Sequence, residues 1–139
     1  MVGIVLISHS PGLAEGAAEL VGQIAGGARV VPAGGTEDGQ LGTSTQRIRN
    51  AIAKADQGSG VLLIPDLGSA VLSARAVLAD LEADREADFG ADRDGASRFV
   101  LADAPFIEGA VSAGVAASTG ADLATVVRAA EEARDARKF

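Results

Sequence analysis

The sequence predicts an α/β protein, a three-layer arrangement in which helices cover both faces of a mostly parallel sheet. Three observations carry this reading. Short apolar runs without polar alternation recur along the chain, a stripe of apolar residues at helical spacing follows each run, and the connections between them are short. Units repeated in this way join through right-handed crossovers. A length of 139 residues suits one core, so residues 1–139 are read as a single domain. Four parallel strands are expected, with place for one further edge strand.

The first strand is Val2 to Ile7, apolar and rich in β-branched residues, and it stops at Ser8-His9-Ser10-Pro11-Gly12. Leu13, Ala17, Leu20, Val21 and Ile24 then recur at helical spacing, and Gly26-Gly27 closes that helix. Arg29 to Ala33 is the second strand. A polar glycine loop, Gly34 to Gly42, leads to Thr43-Ser44-Thr45, hydroxyl residues suited to capping the helix marked by Ile48, Ile52 and Ala55. Gly60 to Ile64 is the third strand and ends at Pro65-Asp66-Leu67-Gly68-Ser69. The following helix shows Val71, Ala74, Leu78 and Leu81 on one stripe, with Leu72 and Val77 off it. That is more apolar surface than one buried face requires, and it predicts a homodimer. Glu82 to Gly95 is Asp-rich and reads as a solvated helix end and loop. Phe99 to Leu101 forms the fourth strand and ends at Ala104-Pro105. Phe106, Ala110, Val111 and Val115 mark the next helix, and Leu123, Val126, Val127 and Ala130 the last.

Composition excludes several classes of function. Lys plus Arg is 12 against 19 for Asp plus Glu, a net charge of −7, which is the wrong sign for tracking phosphate backbones or anionic lipid. Neither a nucleic-acid partner nor a membrane is expected. No cysteine is present, which removes disulfides, thiolate metal sites and thiol nucleophiles, and the single histidine removes any two-histidine site within one chain. No metal and no cofactor are expected. No apolar run approaches the roughly 20 residues of a bilayer span. The start of the chain lacks a basic region and a cleavage site, which predicts a cytoplasmic location.

Ligands of doubly wound sheets gather beyond the carboxyl ends of the strands, where the strand order reverses. The only imidazole, His9, falls on that rim, close to helix N-termini whose free amides and positive dipole end suit a phosphoryl group. A nucleophilic histidine needs an acceptor that holds one ring nitrogen as N–H, so that the other presents its lone pair. Asp66, at the end of a different strand, is the best candidate acceptor, although it suits equally well the cap of the helix that begins near Ser69. Ser8, Ser10, Thr43, Ser44 and Ser69 also have the ordinary fate of turn formers and caps open to them. The glycine loop does not match G-x-x-x-x-G-K-[ST], Ser8 to Gly12 lacks the G-x-G-x-x-G spacing, and a G-x-S-x-G elbow is absent.

Four strings carry a more specific signal: Gly3-Ile4-Val5-Leu6-Ile7-Ser8-His9-Ser10, Pro32 to Gly39 continuing to Leu41-Gly42-Thr43-Ser44, Asp66-Leu67-Gly68-Ser69-Ala70, and Ala104 to Ala110. In this order they resemble the DhaM family, the phosphotransferase subunits of phosphoenolpyruvate-dependent dihydroxyacetone kinases, which are mannose-type IIA proteins of the sugar phosphotransferase system. The resemblance implies a mannose-type IIA-like fold and a relay. His9 would accept phosphoryl from the phosphocarrier protein HPr, itself charged by Enzyme I. It would pass the group to ADP held on the nucleotide-binding subunit of the kinase. In that relay Asp66 orients His9 through Nδ1, Nε2 takes the phosphate, and Gly42, Thr43 and Ser69 are candidate phosphoryl-oxygen donors. Phosphoryl transfer asks for an in-line nucleophile and donors to the equatorial oxygens, with little covalent apparatus besides. Two alternatives lie within phosphoryl relay: a sugar-transport IIA component that serves a IIB protein, and a regulatory domain whose phosphohistidine only signals. Histidine phosphatases need an Arg-His-Gly string and a second histidine, and both are missing.

Overall fold

A computed structural model of the chain describes residues 1–89 and 98–139. Four strands, β1 (Gly3–Ser8), β2 (Arg29–Gly34), β3 (Val61–Pro65) and β4 (Phe99–Leu101), form one sheet in the order β2-β1-β3-β4, and every pairing is parallel. The helices are α1 (Pro11–Ile24), α2 (Thr45–Ala55), α3 (Gly68–Phe89), α4 (Phe106–Ser118) and α5 (Leu123–Glu132), followed by a 3-10 turn at Ala133–Asp135. This is the predicted three-layer α/β class. No fifth strand occurs among the described residues.

The period of two in the strands sorts the core into two layers. Ile4, Leu6, Leu62 and Ile64 point to one face, where Ala17 and Val21 of α1, three alanines of α4 and Val126 and Ala130 of α5 cover them. Val5, Ile7, Val61 and Leu63 point to the other, against Ile48 and Ile52 of α2 and Ala70, Ala74 and Val77 of α3. Both central strands are buried throughout except at Pro65, which explains why they read as continuous apolar runs.

Three details of the helices differ from expectation. In α1 the buried residues are Ala14, Ala17 and Val21, while Leu13, Leu20 and Ile24 are exposed. The small side chains let the helix lie close to the sheet, and the larger residues turn outward. In α3, Val77 joins Ala70 and Ala74 in the core instead of standing off the stripe, whereas Leu72 is 72% exposed. The acidic stretch from Glu82 is helical through Phe89, supported by an Arg85–Glu82 pair one turn apart and by Arg49 of α2 bonded to Asp84. The remainder of that stretch, residues 90–95, lies outside the described residues.

Register places the site. Ser8 pairs with Gly34 and Ile7 with Pro65, so the residues that follow leave the sheet side by side at one rim. The chain passes from β1 to β2 on one side and returns to β3 on the other, and the order therefore reverses between β1 and β3. Gly34 allows the tight junction there, since a Cβ at that position would lie 2.7 Å from the Ser10 carbonyl oxygen and 2.8 Å from Ala14 Cβ.

Candidate functional site

His9 follows the last residue of β1, and Asp66 the last residue of β3. The adjacent parallel strands bring the imidazole and the carboxylate together although 57 residues separate them in sequence. His9 Nδ1 is 2.9 Å from Asp66 Oδ1, and the two side chains are 26% and 8% exposed. The carboxylate accepts three further bonds. The His9 amide and the Ser8 hydroxyl donate to Oδ2 at 3.1 and 2.8 Å, and the Leu67 amide donates to Oδ1 at 2.7 Å. Burial alone would push the Asp66 carboxyl up. The bonds from the His9 amide, Ser8, the His9 ring and Leu67 outweigh it and hold the group below the ordinary carboxylate range.

An ionised carboxylate only accepts, so Nδ1 carries a proton, and the tautomer of the neutral imidazole that this selects has its lone pair at Nε2. The Ser69 hydroxyl lies 2.7 Å from Nε2. Ser69 stands in the first turn of the 22-residue α3, whose initial amides have no partner within the helix and whose dipole turns its positive end toward the ring. On the opposite side the Gly42 amide donates to the His9 carbonyl at 2.9 Å and Gly35 to the Ser8 carbonyl at 3.1 Å. Gly42 holds φ at +135°, a value that side chains disfavour. Ser10 caps α1 by accepting the Leu13 amide at 3.2 Å, which fixes the chain immediately after His9.

Of the residues expected from sequence, His9, Asp66 and Ser69 form one hydrogen-bonded cluster. Gly42 adjoins it through the backbone, with its amide engaged by the His9 carbonyl. Thr43 is one residue further, its hydroxyl 2.7 Å from that of Ser73, and one proton of that pair is left for another acceptor. Asp66 does not act as an ordinary helix cap: its only bond to the start of α3 is to Leu67, the residue before the helix. Two residues were missed by sequence reasoning. Ser73 shows no signal in the pattern. Ser8, grouped there with turn formers, is fully buried at the end of an otherwise apolar strand, and a hydroxyl in such a position requires partners. A cleft of about 350 Å³ opens beside Asp66 and Leu67, bounded by Val71, Arg75 and Asp103. A larger one, about 670 Å³, lies among Val100, Leu123, Val127 and Arg128 and holds none of these groups.

A doubly wound α/β domain with one histidine at its switch point, clamped by a carboxylate from the neighbouring strand, defines a class of protein built around a single rim imidazole. Residues 3–127 match the model of the EIIA-man family, described as PTS system fructose IIA component, and the chain belongs to that family. Among curated relatives it is 32% identical to the phosphoryl donor subunit DhaM of a PEP-dependent dihydroxyacetone kinase from Providencia stuartii, over 99% of this chain and 28% of that protein. It is 34% identical to the corresponding DhaM of kinase 2 from Listeria innocua, over 83% of this chain and 85% of that protein. The chain thus spans less than a third of the Providencia relative and most of the Listeria one. A crystal structure described as that of a protein of unknown function, EF1359, superposes with a TM-score of 0.77 at 32% identity, over 94% of this chain and 93% of that one.

Proposed function

We propose that the protein is a phosphoryl carrier of the dihydroxyacetone kinase system, taking phosphoryl from phospho-HPr onto His9 and delivering it to ADP on the nucleotide-binding kinase subunit. The observation that carries the reading is the two-sided hold on the imidazole: Asp66 at Nδ1, 2.9 Å, and only a serine hydroxyl at Nε2, 2.7 Å. The names of the relatives support the same system.

In the forward step the Nε2 lone pair attacks phosphorus in line as the bond from phosphorus to the donor's histidine nitrogen breaks, and that nitrogen keeps the electron pair. No proton has to leave His9, because Nε2 starts without one. The Ser69 hydroxyl turns from Nε2 to an equatorial phosphoryl oxygen, joined by first-turn amides of α3 and by the free proton of the Thr43–Ser73 pair. The ring becomes cationic, and the ionised Asp66 stabilises it through Nδ1–H. In the second step a terminal phosphate oxygen of ADP attacks and His9 leaves with its lone pair, which regenerates the neutral ring. The nucleotide belongs to the partner in this scheme. The reaction runs in the cytoplasm, where phosphoenolpyruvate is available.

The test starts from phosphoenolpyruvate, Enzyme I and HPr. Intact-mass measurement should show one acid-labile phosphate on the unmodified chain and none on His9→Ala. Addition of ADP and the nucleotide-binding subunit should then yield ATP. Labelling that persists in His9→Ala removes the carrier assignment, and phosphoryl passing to a IIB protein instead of ADP moves the chain to a sugar transporter.

A further inference from the structure

The relay employs His9, Asp66, Ser69 and the Thr43–Ser73 pair and leaves one buried polar side chain of the site, Ser8, without a task. Ser8 is fully buried, and its hydroxyl is engaged twice: Oγ donates to Asp66 Oδ2 at 2.8 Å and accepts the Ser10 amide at 3.0 Å. We infer that Ser8 is a positioning residue, locking the Asp66 carboxylate so that Oδ1 meets His9 Nδ1 and thereby fixing the tautomer and ring plane of the imidazole. The kinetic part of this inference rests on the reading of His9 as phosphoryl carrier; the tautomer part does not.

The terminal torsion of an aspartate is broad, so the carboxylate plane is set by its donors. Asp66 has four. Two are backbone amides, from His9 and Leu67, and one is the ring N–H that is itself to be oriented. Ser8 is the remaining donor and the only other side chain. A serine proton ordinarily rotates to suit its surroundings, but the Ser10 N–H occupies a lone pair of Oγ and leaves the proton directed at Asp66. The result is a short chain from the Ser10 N–H through the Ser8 O–H to Asp66 Oδ2, whose first bond strengthens the second, while the Nδ1–H donates separately to Oδ1 of the carboxylate so fixed. Its origin at Ser10, the cap of α1, ties the setting of the imidazole to the start of that helix. The Ser8 bond is also among those that keep the Asp66 carboxyl low and hence ionised. A neutral Asp66 would lose the charge that favours the Nδ1–H form.

The experiment compares the unmodified chain with Ser8→Ala, Ser8→Cys and Ser8→Thr, each checked for folding by circular dichroism. Since the chain has one histidine, ¹⁵N spectra of the imidazole report His9 alone. In Ser8→Ala we expect a mixture of tautomers in place of a dominant Nδ1–H form. Transfer from phospho-HPr should slow about tenfold, the scale of one hydrogen bond to a charged group. The acid limb of the rate profile should move to higher pH, because Asp66 has lost a donor. Ser8→Cys, a weaker donor of nearly the same shape, should fall between, and Ser8→Thr should restore tautomer and rate. Unchanged tautomers and pH profile in a folded Ser8→Ala, or in Ser8→Cys should alanine not fold, overturn the inference and leave Ser8 a stabilising residue only. If the unmodified chain takes no phosphoryl group, the relay fails while the tautomer arm still decides Ser8. If Ser8→Ala transfers normally, the relay stands and Ser8 loses its role.

Discussion

A carboxylate that accepts four hydrogen bonds while nearly buried can hold a ring in place or can supply charge, and the two contributions separate under substitution. Asn at position 66 keeps an acceptor for Nδ1–H but loses the charge that would face the cationic phosphohistidine of the proposed relay. Asp66→Asn should therefore slow exchange with phospho-HPr by roughly tenfold or more at unchanged fold, measured by rapid quench. An unchanged rate would show that acceptor geometry suffices. The pH dependence follows from the direction of the shift. The Asp66 carboxyl is held low in the folded chain, so the stability it contributes is fully present above the ordinary carboxylate value and is lost as pH falls through its lowered one. Acid titration of melting temperature should show this limb in the unmodified chain and lack it in Asp66→Asn. At this scale the sequence reveals much of the candidate site. His9 is the only imidazole, and Asp66 directly follows a strand. Ser8 was illegible because burial, not residue type, distinguishes a structural hydroxyl from a turn former. The pairing of Thr43 with Ser73 depends on a helix and a loop 30 residues apart, a distance that local pattern does not span.

Elements were legible where one face is decided by large residues and misread where small ones decide it. The stripe in α2 is carried by Ile48 and Ile52 and faces the core as expected. In α1 the leucines suggest one face and the alanines another about one residue away, and the alanines are the buried set. Layer spacing accounts for this: the end of β2 lies against the start of α1, and the junction admits only Gly34 and Ala14. Gly34→Ala should therefore push the first turn of α1 outward and destabilise the fold by about 1–3 kcal/mol, the usual effect of overpacking. Chemical denaturation measures the loss. Because Ser10 caps α1 next to His9, the same variant should lower the phosphoryl-transfer rate as well, whereas Gly16→Ala, in open space on the outer face of α1, should lower neither. Equal behaviour of the two variants would mean that the junction does not set the site.

At the scale of the molecule, two exposed apolar faces stand out among the described residues. Leu13, Leu20 and Ile24 line the outer side of α1, and Leu13 lies one turn beyond His9, beside the rim that the phosphoryl donor of the proposed relay would approach. The second face is on α3, where Leu72, Ala76, Ala79 and Ala83 recur at i, i+4, i+7 and i+11, all exposed. Small residues at that spacing allow two helices to approach closely, as a helix-pairing seam requires. The sequence predicted self-association from Leu72 and Val77 together. Val77 is in the core, which leaves Leu72 and the alanines that continue its stripe as the exposed apolar surface of α3. With the α1 face adjacent to the histidine and taken up by exchange in the proposed relay, we propose α3 as the face for a second copy. Light scattering at micromolar concentration should then give a mass near twice 13.8 kDa, because interfaces of the usual 800 Å² or so per partner persist at that dilution. Leu72→Asp should return the mass to a single chain with the fold intact, and Leu20→Asp should leave it doubled. A single-chain mass for the unmodified protein would end the dimer argument, and dissociation by Leu20→Asp alone would move the interface to α1, where it would compete with the incoming phosphoryl donor for the same face.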